Sequence, residues 1–83
     1  MTNTIDDRQH HFAFYVQLFG GSTAFSRRLG IDERAIRRFL NGERPISDGL
    51  LADIATALRA LIADANEAVE QIATTLAADA GQA

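Results

Sequence analysis

The longest uninterrupted helical pattern of the chain runs from Asp48 to about Asp79, and it constrains the whole fold. This stretch contains no proline, one early glycine and many alanines, and alanine has the highest helix propensity. A continuous helix over it would be about 48 Å long. The remaining residues could form a body only roughly 25 Å across. The helix is therefore expected either to project beyond that body or to fold back at a break, for which Asp64–Asn66 is the only plausible position.

Apolar residues follow two rows spaced by seven along this predicted helix. One row is Leu51, Leu58, Ala65 and Ile72, and the other is Ala55, Ile62, Val69 and Leu76. Ile54 and Leu61 widen the stripe in the first half only, so residues 50–62 are expected to cover the core. The far half presents Ala65, Val69, Ile72 and Leu76, and nothing is left in the chain to cover them. Since large aliphatic side chains gain roughly 1.5–3 kcal/mol each on burial, these residues predict a homodimer interface between antiparallel or crossed helices.

Glycine and proline residues divide the rest of the chain into three shorter helices. The first spans residues 7–19 and ends at Gly20-Gly21. The second begins at a Ser22 or Thr23 cap and runs to Leu29. The third spans residues 33–40 after an Asp32 cap, and it ends at Asn41-Gly42, before Pro45. In the first helix the core stripe is Phe12, Tyr15, Val16 and Phe19, widened by Phe14 and Leu18.

The predicted fold is therefore all-α: a small helical bundle in one domain with a long C-terminal dimerisation helix. Residues 1–46 supply the N-terminal helices, and residues 47–80 supply the helix that completes the core and forms the dimer interface.

Charge is distributed unevenly along the chain. The formal net charge is -3, which would ordinarily argue against binding to nucleic acid. Residues 22–46, however, carry six arginines against three acidic residues, a net of +3. Residues 47–83 carry one arginine against six acidic residues, a net of -5. A basic middle segment of this kind is the local footprint expected of a phosphate-binding surface.

The second and third predicted helices, residues 22–41, have the spacing of a helix-turn-helix. Two helices that cross at a steep angle need a small residue at the crossing, and Ser26 occupies that place. The turn needs a residue that tolerates positive φ, which Gly30 provides. Inward-facing apolar residues must then anchor both helices, and the matching positions hold Phe25, Leu29, Ile31, Ile36 and Phe39.

From about Phe12 to Leu61 the chain resembles the lambda-repressor-like (Cro or XRE type) helix-turn-helix DNA-binding domains. The resemblance is strongest in the segments STAFSRRLGI (residues 22–31) and FLNGERP (residues 39–45). The second segment is similar to the family's W-x-x-G-x-R-x-P pattern, with Phe39 where tryptophan is common. Two departures are the absence of the glutamine that often opens the family's second helix and Ser26 in place of alanine.

The resemblance implies that helix 33–40 enters the major groove of double-stranded DNA and reads base edges. The base-reading residues would be Glu33, Arg34, Arg37 and Arg38. An arginine fork can bond guanine O6 and N7, and Glu33 could accept from a cytosine amino group. Candidate phosphate contacts are Thr23, Arg27, Arg28, Asn41 and Arg44. The pairs Arg27-Arg28 and Arg37-Arg38 could instead be ordinary solvated faces of short helices, and Asn41 could be only a helix-end residue.

The function predicted from these features is that of a dimeric transcriptional repressor, autoregulatory and bound to a palindromic operator (an inverted repeat). The alternative is a protein-binding inhibitor or antitoxin-like adaptor whose C-terminal helix engages a protein partner. An enzyme is not expected, because the chain has no cysteine and no lysine, and the adjacent His10 and His11 face different directions on a helix. No metal site and no cofactor are predicted. The absence of a secretory signal or membrane-spanning segment predicts a cytoplasmic protein.

Overall fold

The structure is a computed structural model, and it describes residues 4–81. Four helices account for most of this part of the chain: α1 (Thr4–Phe19), α2 (Ser22–Leu29), α3 (Glu33–Leu40) and α4 (Asp48–Gly81). No strand occurs within residues 4–81. The predicted all-α fold with a long C-terminal helix is confirmed. The first three residues of the predicted 1–46 segment lie outside the described range.

Helices α1 and α2 each pack against all three of the other helices, and α1 supplies the largest share of the core. The inward side chains of α1, Phe12, Val16 and Phe19, are buried. The Phe12 ring lies 5.4 Å from that of Phe25 in α2 and 5.5 Å from that of Phe39 in α3. These edge-to-face and tilted contacts join three helices through aromatic packing. The other buried residues of the core are Ile36, Ile46 and Ile54.

Several local predictions for α1 and α2 were wrong. Helix α1 begins at Thr4 and not at Asp7. Phe14 and Leu18, predicted to widen the core stripe of α1, are 58% and 47% exposed, because α1 has neighbours along one side only. Helix α2 is preceded by Gly21 as its N-cap, and neither Ser22 nor Thr23 makes a side-chain cap. Ser22 is instead the first residue of the helix.

The loop between α3 and α4 is tied back to α1. The guanidinium of Arg8 donates to the carbonyl of Ile46 at 2.9 Å and to Asp48 Oδ1 at 2.6 Å. Ser47 caps α4, since its Oγ accepts from the backbone N–H of Leu50 at 3.1 Å. Ile46 lies just before this cap, at the position of a hydrophobic staple. These contacts fix the place where α4 leaves the loop.

Helix α4 is a single unbroken helix that passes through Asp64–Asn66 without interruption. At about 1.5 Å per residue its 34 residues extend for about 51 Å. Only its first half packs on the body, with Ile54 buried and Leu61 half-buried. Ile62, predicted to belong to the covering half, is 59% exposed, so the covering half ends at Leu61. All residues from 62 to 81 are exposed, and the helix therefore projects beyond the body.

Candidate nucleic-acid interface

One face of α3 presents all four residues predicted to read bases. Glu33, Arg34, Arg37 and Arg38 are exposed, whereas Ile36 is fully buried and Phe39 is half-buried. At 100° per residue the four exposed positions fall within about 140° of the helix circumference, opposite Ile36. The sequence produces this division because its apolar residues recur three and four positions apart. The exposed face carries three positive charges and one negative charge.

The connection between α2 and α3 holds this face at a fixed angle. Gly30 has φ 68° and ψ 30°, a left-handed conformation that ends α2. Ser26 lies at the helix crossing, and its hydroxyl donates to the carbonyl of Ile31 at 2.5 Å. Asp32 caps α3 as predicted, because its side chain accepts from the backbone N–H of Arg34. The small residue at the crossing thus also satisfies a carbonyl of the turn.

Two predicted site residues from different helices contact each other. The Thr23 hydroxyl on α2 donates to Glu33 Oε1 on α3 at 2.7 Å. Both side chains belong to exposed residues. Glu33 is therefore held by a neighbouring helix at the start of α3, where a carboxylate also complements the partial positive charge of the helix N-terminus.

The basic residues of α2 differ in their surroundings. Both Arg27 and Arg28 are exposed, but the guanidinium of Arg28 forms an ion pair with Asp64 of α4 at 3.0 Å. The ion pair joins α2 to the first exposed turn of the projecting half of α4. Arg28 was predicted to contact phosphate, and in this structure its partner is a carboxylate of the same chain.

The residues after α3 are also exposed. Asn41 is the C-cap residue of α3, and its side-chain amide donates to Glu43 Oε2 at 3.4 Å. The Arg44 guanidinium lies over the Phe39 ring, 5.3 Å from its centroid. Stacking on a half-buried ring restrains Arg44 close to the C-terminal end of α3. Arg44 is therefore held on the side of α3 that carries Phe39, at the end of the helix.

The predicted dimer residues lie on the projecting part of α4. Ala65, Val69, Ile72 and Leu76 are exposed, and the three large ones retain 59–63% of their accessible surface. They continue the apolar stripe that packs on the body in the first half of the helix. We call this set, together with Ile62, the α4 stripe.

Sequence reasoning missed Arg8, Gln9 and Ile46. The Gln9 amide donates to the carbonyl of Leu40 at 3.4 Å, so α1 also supports the end of α3. The position of Ile46 directly before the Ser47 cap was a usable signal, because a hydrophobic residue there often packs against the first turns of the helix. No local pattern indicates Arg8, whose partners lie 38 and 40 residues away.

Residues 4–81 contain neither a metal-binding cluster nor a membrane-spanning helix. No group of three or more His, Cys, Asp or Glu side chains is placed to hold a metal ion. No helix in this range combines the length and apolar character that crossing a bilayer requires.

Comparisons with known proteins found no matching family model, no matching curated protein and no matching solved structure.

Proposed function

We propose that this chain is a homodimeric, sequence-specific DNA-binding regulator of transcription that inserts α3 into the major groove. The observation that supports the proposal best is the division of α3 into a buried side around Ile36 and an exposed side with Glu33, Arg34, Arg37 and Arg38. A helix held by its apolar side against a compact body can present its other side to a groove. The likeness to lambda-repressor-like domains points to the same role.

The chemistry of the exposed face suits base reading. Arginine is the side chain that most often bonds guanine bidentately, and its charge also attracts phosphates. Glu33, held by Thr23, can accept a hydrogen bond from a cytosine amino group. Arg44 at the end of α3, with Arg27 and Thr23 on α2, is exposed, and contacts from these residues to phosphates would fix the orientation of the protein.

The α4 stripe supports the dimer. Complete burial of one large aliphatic side chain is worth about 1.5–3 kcal/mol, so covering one that is about 60% exposed gains roughly 1–2 kcal/mol. Ile62, Val69, Ile72 and Leu76 from two subunits would together gain an amount comparable to the roughly 4–15 kcal/mol cost of association. Two reading helices would then match the two halves of a palindromic operator. Repression of the protein's own promoter is the regulatory role that we propose.

The proposal is tested by replacing two arginines of the α3 face. Duplexes bound by the unmodified protein are first selected from a random library, and the affinity for the best duplex is measured by fluorescence anisotropy. The Arg34→Ala/Arg37→Ala variant is expected to lose at least 100-fold in affinity, since each bidentate contact is worth about 1–3 kcal/mol. The fold, followed by circular dichroism, should be unchanged because both residues are exposed.

Arg59→Ala is the control, because Arg59 is an exposed arginine of α4 outside the α3 face. Since it lies on the proposed dimerisation helix, sedimentation is used to verify that the variant is still a dimer. Arg59→Ala removes one positive charge per chain where the double variant removes two, and it is expected to change affinity by less than about threefold, as a screened charge away from the contact would. Selection of no duplex above background, or equal losses in the control and the double variant, would reject the proposal.

A second candidate function is that of a protein-binding inhibitor or antitoxin-like adaptor, and the exposed α4 stripe favours it. In that case Ile72→Asp would abolish the regulatory effect of the protein in a reporter strain, while Arg34→Ala/Arg37→Ala would leave it intact. The DNA-binding proposal expects the arginine variant to remove the effect. The pair of variants therefore separates the two functions in one assay.

A further inference from the structure

The apolar surface of α4 does not begin at its projecting half. A groove between α1 and α4 is lined by Tyr15, Leu51, Ile54, Ala55 and Leu58. Leu51, Ala55 and Leu58 are only partly buried, although they lie beside fully buried Ile54. The α4 stripe starts one turn beyond this groove. A single apolar surface, which we call the seam, therefore runs along α4. It begins in the groove and continues along the exposed half of the helix as the α4 stripe.

The seam has the heptad spacing of a surface through which two helices pair. The a positions are Ala55, Ile62, Val69 and Leu76, and the d positions are Leu51, Leu58, Ala65 and Ile72. Such spacing keeps one seam of an α-helix facing a partner helix over its whole length. The seam therefore extends through the groove and is twice as long as the far-half interface predicted from the sequence.

Between residues 51 and 76 the acidic residues of α4 lie away from this seam, whereas Asp48 and Asp79 continue the a and d rows at its two ends. Four acidic residues occupy positions b, c and f, on the side of α4 opposite the seam: Asp53, Asp64, Glu67 and Glu70. The e and g positions between residues 52 and 75 carry one charge, Arg59, and otherwise hold alanine, threonine, asparagine and apolar residues. Between residues 51 and 76, two copies of the helix can thus approach without like-charge repulsion across the seam, although the segment as a whole is strongly acidic.

We propose that α4 pairs antiparallel with α4 of a second copy, so that the bare half of each helix lies in the α1–α4 groove of the other. In this register Leu76 faces the partner's Leu51, and Ile72 faces the partner's Ala55. Val69 and the partner's Leu58 meet in the next layer, followed by Ile62 and the partner's Ala65. The inference rests on the proposed homodimer but does not require DNA binding.

The shape of the groove selects the antiparallel arrangement. One wall of the groove is Tyr15 of α1. A helix that enters the groove must therefore fit beside α1, so it cannot have a further helix packed against its own sides. Only residues 62–81 of a second copy meet that condition, since the first half of α4 is covered by its own body. A parallel pair would bring the two covered halves, each with its α1, to the same end.

The pairing of side chains selects the register. All four a positions face d positions, and alanine opposes isoleucine in two of the layers, so large and small side chains alternate along the seam. A shift by one heptad in one direction leaves Ile72 and Leu76 unpaired. A shift in the other direction places Asp79 against Ala55. The proposed register therefore covers the most apolar residues. At its two ends it brings Asp79 opposite the partner's Asp48, whose carboxylate is already bound by Arg8 of its own chain.

The register also sets the distance between the two bodies. Ile54 is the buried residue of α4 and marks where the helix packs on its body. In the proposed dimer it would lie about 28 Å along the helix axis from its copy in the second subunit. Half-sites of DNA one helical turn apart are about 34 Å apart. The two bodies would thus be separated by a distance of the order required for a palindromic operator.

The register is tested by disulfide trapping, which is clean because the chain contains no cysteine. Ala55→Cys and Ile72→Cys are made as separate full-length variants, expressed alone or co-expressed without added DNA, and oxidised mildly. Co-expression is expected to give a disulfide-linked dimer. Either variant alone is expected to give none, because each cysteine would lie about 25 Å from its copy, far beyond disulfide reach.

The matched control pair is Ala60→Cys with Glu67→Cys, which sits at the same level of the proposed pair but on the outward face. It should not cross-link. Cross-linking of Ile72→Cys alone would overturn the inference in favour of a parallel dimer. A dimer by sedimentation that does not cross-link on co-expression would overturn the register, and a monomer would overturn the dimer itself. Cross-linking in a protein that selects no duplex would uphold the register and reject the proposed DNA binding.

Discussion

At the scale of single residues, the passage from α3 into the following loop depends on Gly42. Its φ of 77° lies in the left-handed region, and a Cβ at this position would come within 2.7 Å of Gln9 Nε2. That same amide donates to the carbonyl of Leu40. Gly42 therefore allows α1 to close against the end of the helix that carries the candidate reading face.

Gly42→Ala is expected to lower the free energy of unfolding by more than Gly30→Ala does. Both positions are left-handed, which costs a side chain about 1–2 kcal/mol. Gly30 has open space where its Cβ would be, whereas an alanine at 42 must also displace Gln9 and its hydrogen bond, adding about 1 kcal/mol. Urea denaturation of both variants measures the difference. Equal losses would show that the Gln9 contact contributes nothing.

Single-residue features were predictable where they follow from local rules. The Asp32 cap and the turn at Gly30 were correctly predicted, because both depend on residues within one helical turn. The Ser22 or Thr23 cap was wrong, since the preceding Gly21 takes the cap position and Thr23 bonds to Glu33. That bond joins two helices, and no spacing rule in the sequence indicates it.

At the scale of the helices, α2 and α4 are joined by the Arg28–Asp64 ion pair. Its side chains are 37% and 60% exposed, so the pair adds no more than about 1 kcal/mol to stability. Its larger effect is on the direction of Arg28, which the pair turns toward α4. If Arg28 contacts a phosphate in a complex with DNA, Asp64 competes with that phosphate.

Asp64→Asn is therefore expected to strengthen DNA binding while stability changes by less than about 1 kcal/mol. A freed Arg28 would steepen the slope of log affinity against log salt by about 0.9, the value for one additional phosphate contact. Titrations at several salt concentrations measure this slope. Glu67→Gln is the matched control, since it removes the same charge from the outward face of α4. Equal slopes in Asp64→Asn and the control would argue against a phosphate contact by Arg28.

The existence of each helix was predictable, but the extent of its buried side was not. The periodicity of α1 correctly indicates Phe12, Val16 and Phe19 as core residues. It also included Phe14 and Leu18, which are exposed, because periodicity gives the direction of the apolar side and not the number of neighbours. Helix α4 is continuous through Asp64–Asn66 because no glycine or proline interrupts it there. The polar side chains of Asp64 and Asn66 are exposed, so the helix can keep them in solvent without a break.

At the scale of the whole molecule, the chain is elongated. Its radius of gyration is 17.3 Å, whereas a compact chain of this length would have about 12 Å. The buried apolar core is correspondingly small and is confined to the body formed by α1, α2, α3 and the first half of α4. Stability should therefore depend strongly on individual core residues.

Phe25→Ala is expected to lower the free energy of unfolding by about 3–5 kcal/mol, because Phe25 is fully buried. That loss is a large share of the roughly 4–12 kcal/mol typical for a chain of this length. Phe14→Ala makes the same chemical change at a 58% exposed site of the same body, and it should cost no more than about 0.5 kcal/mol. Urea denaturation at one fixed protein concentration compares the two. Similar losses would contradict the assignment of Phe14 to the surface.

The projection of α4 has a consequence for the protection of its backbone. Amide protons near Ile54 are shielded by the body as well as by the helix, whereas those of residues 62–81 are held only by hydrogen bonds within the helix. In a single chain, hydrogen exchange should therefore accelerate steadily from Leu61 toward Gly81, as an unsupported helix end frays. A partner bound to the α4 stripe would slow exchange in this half and reduce the gradient. The amide protons that become protected would then show which residues of α4 the partner covers.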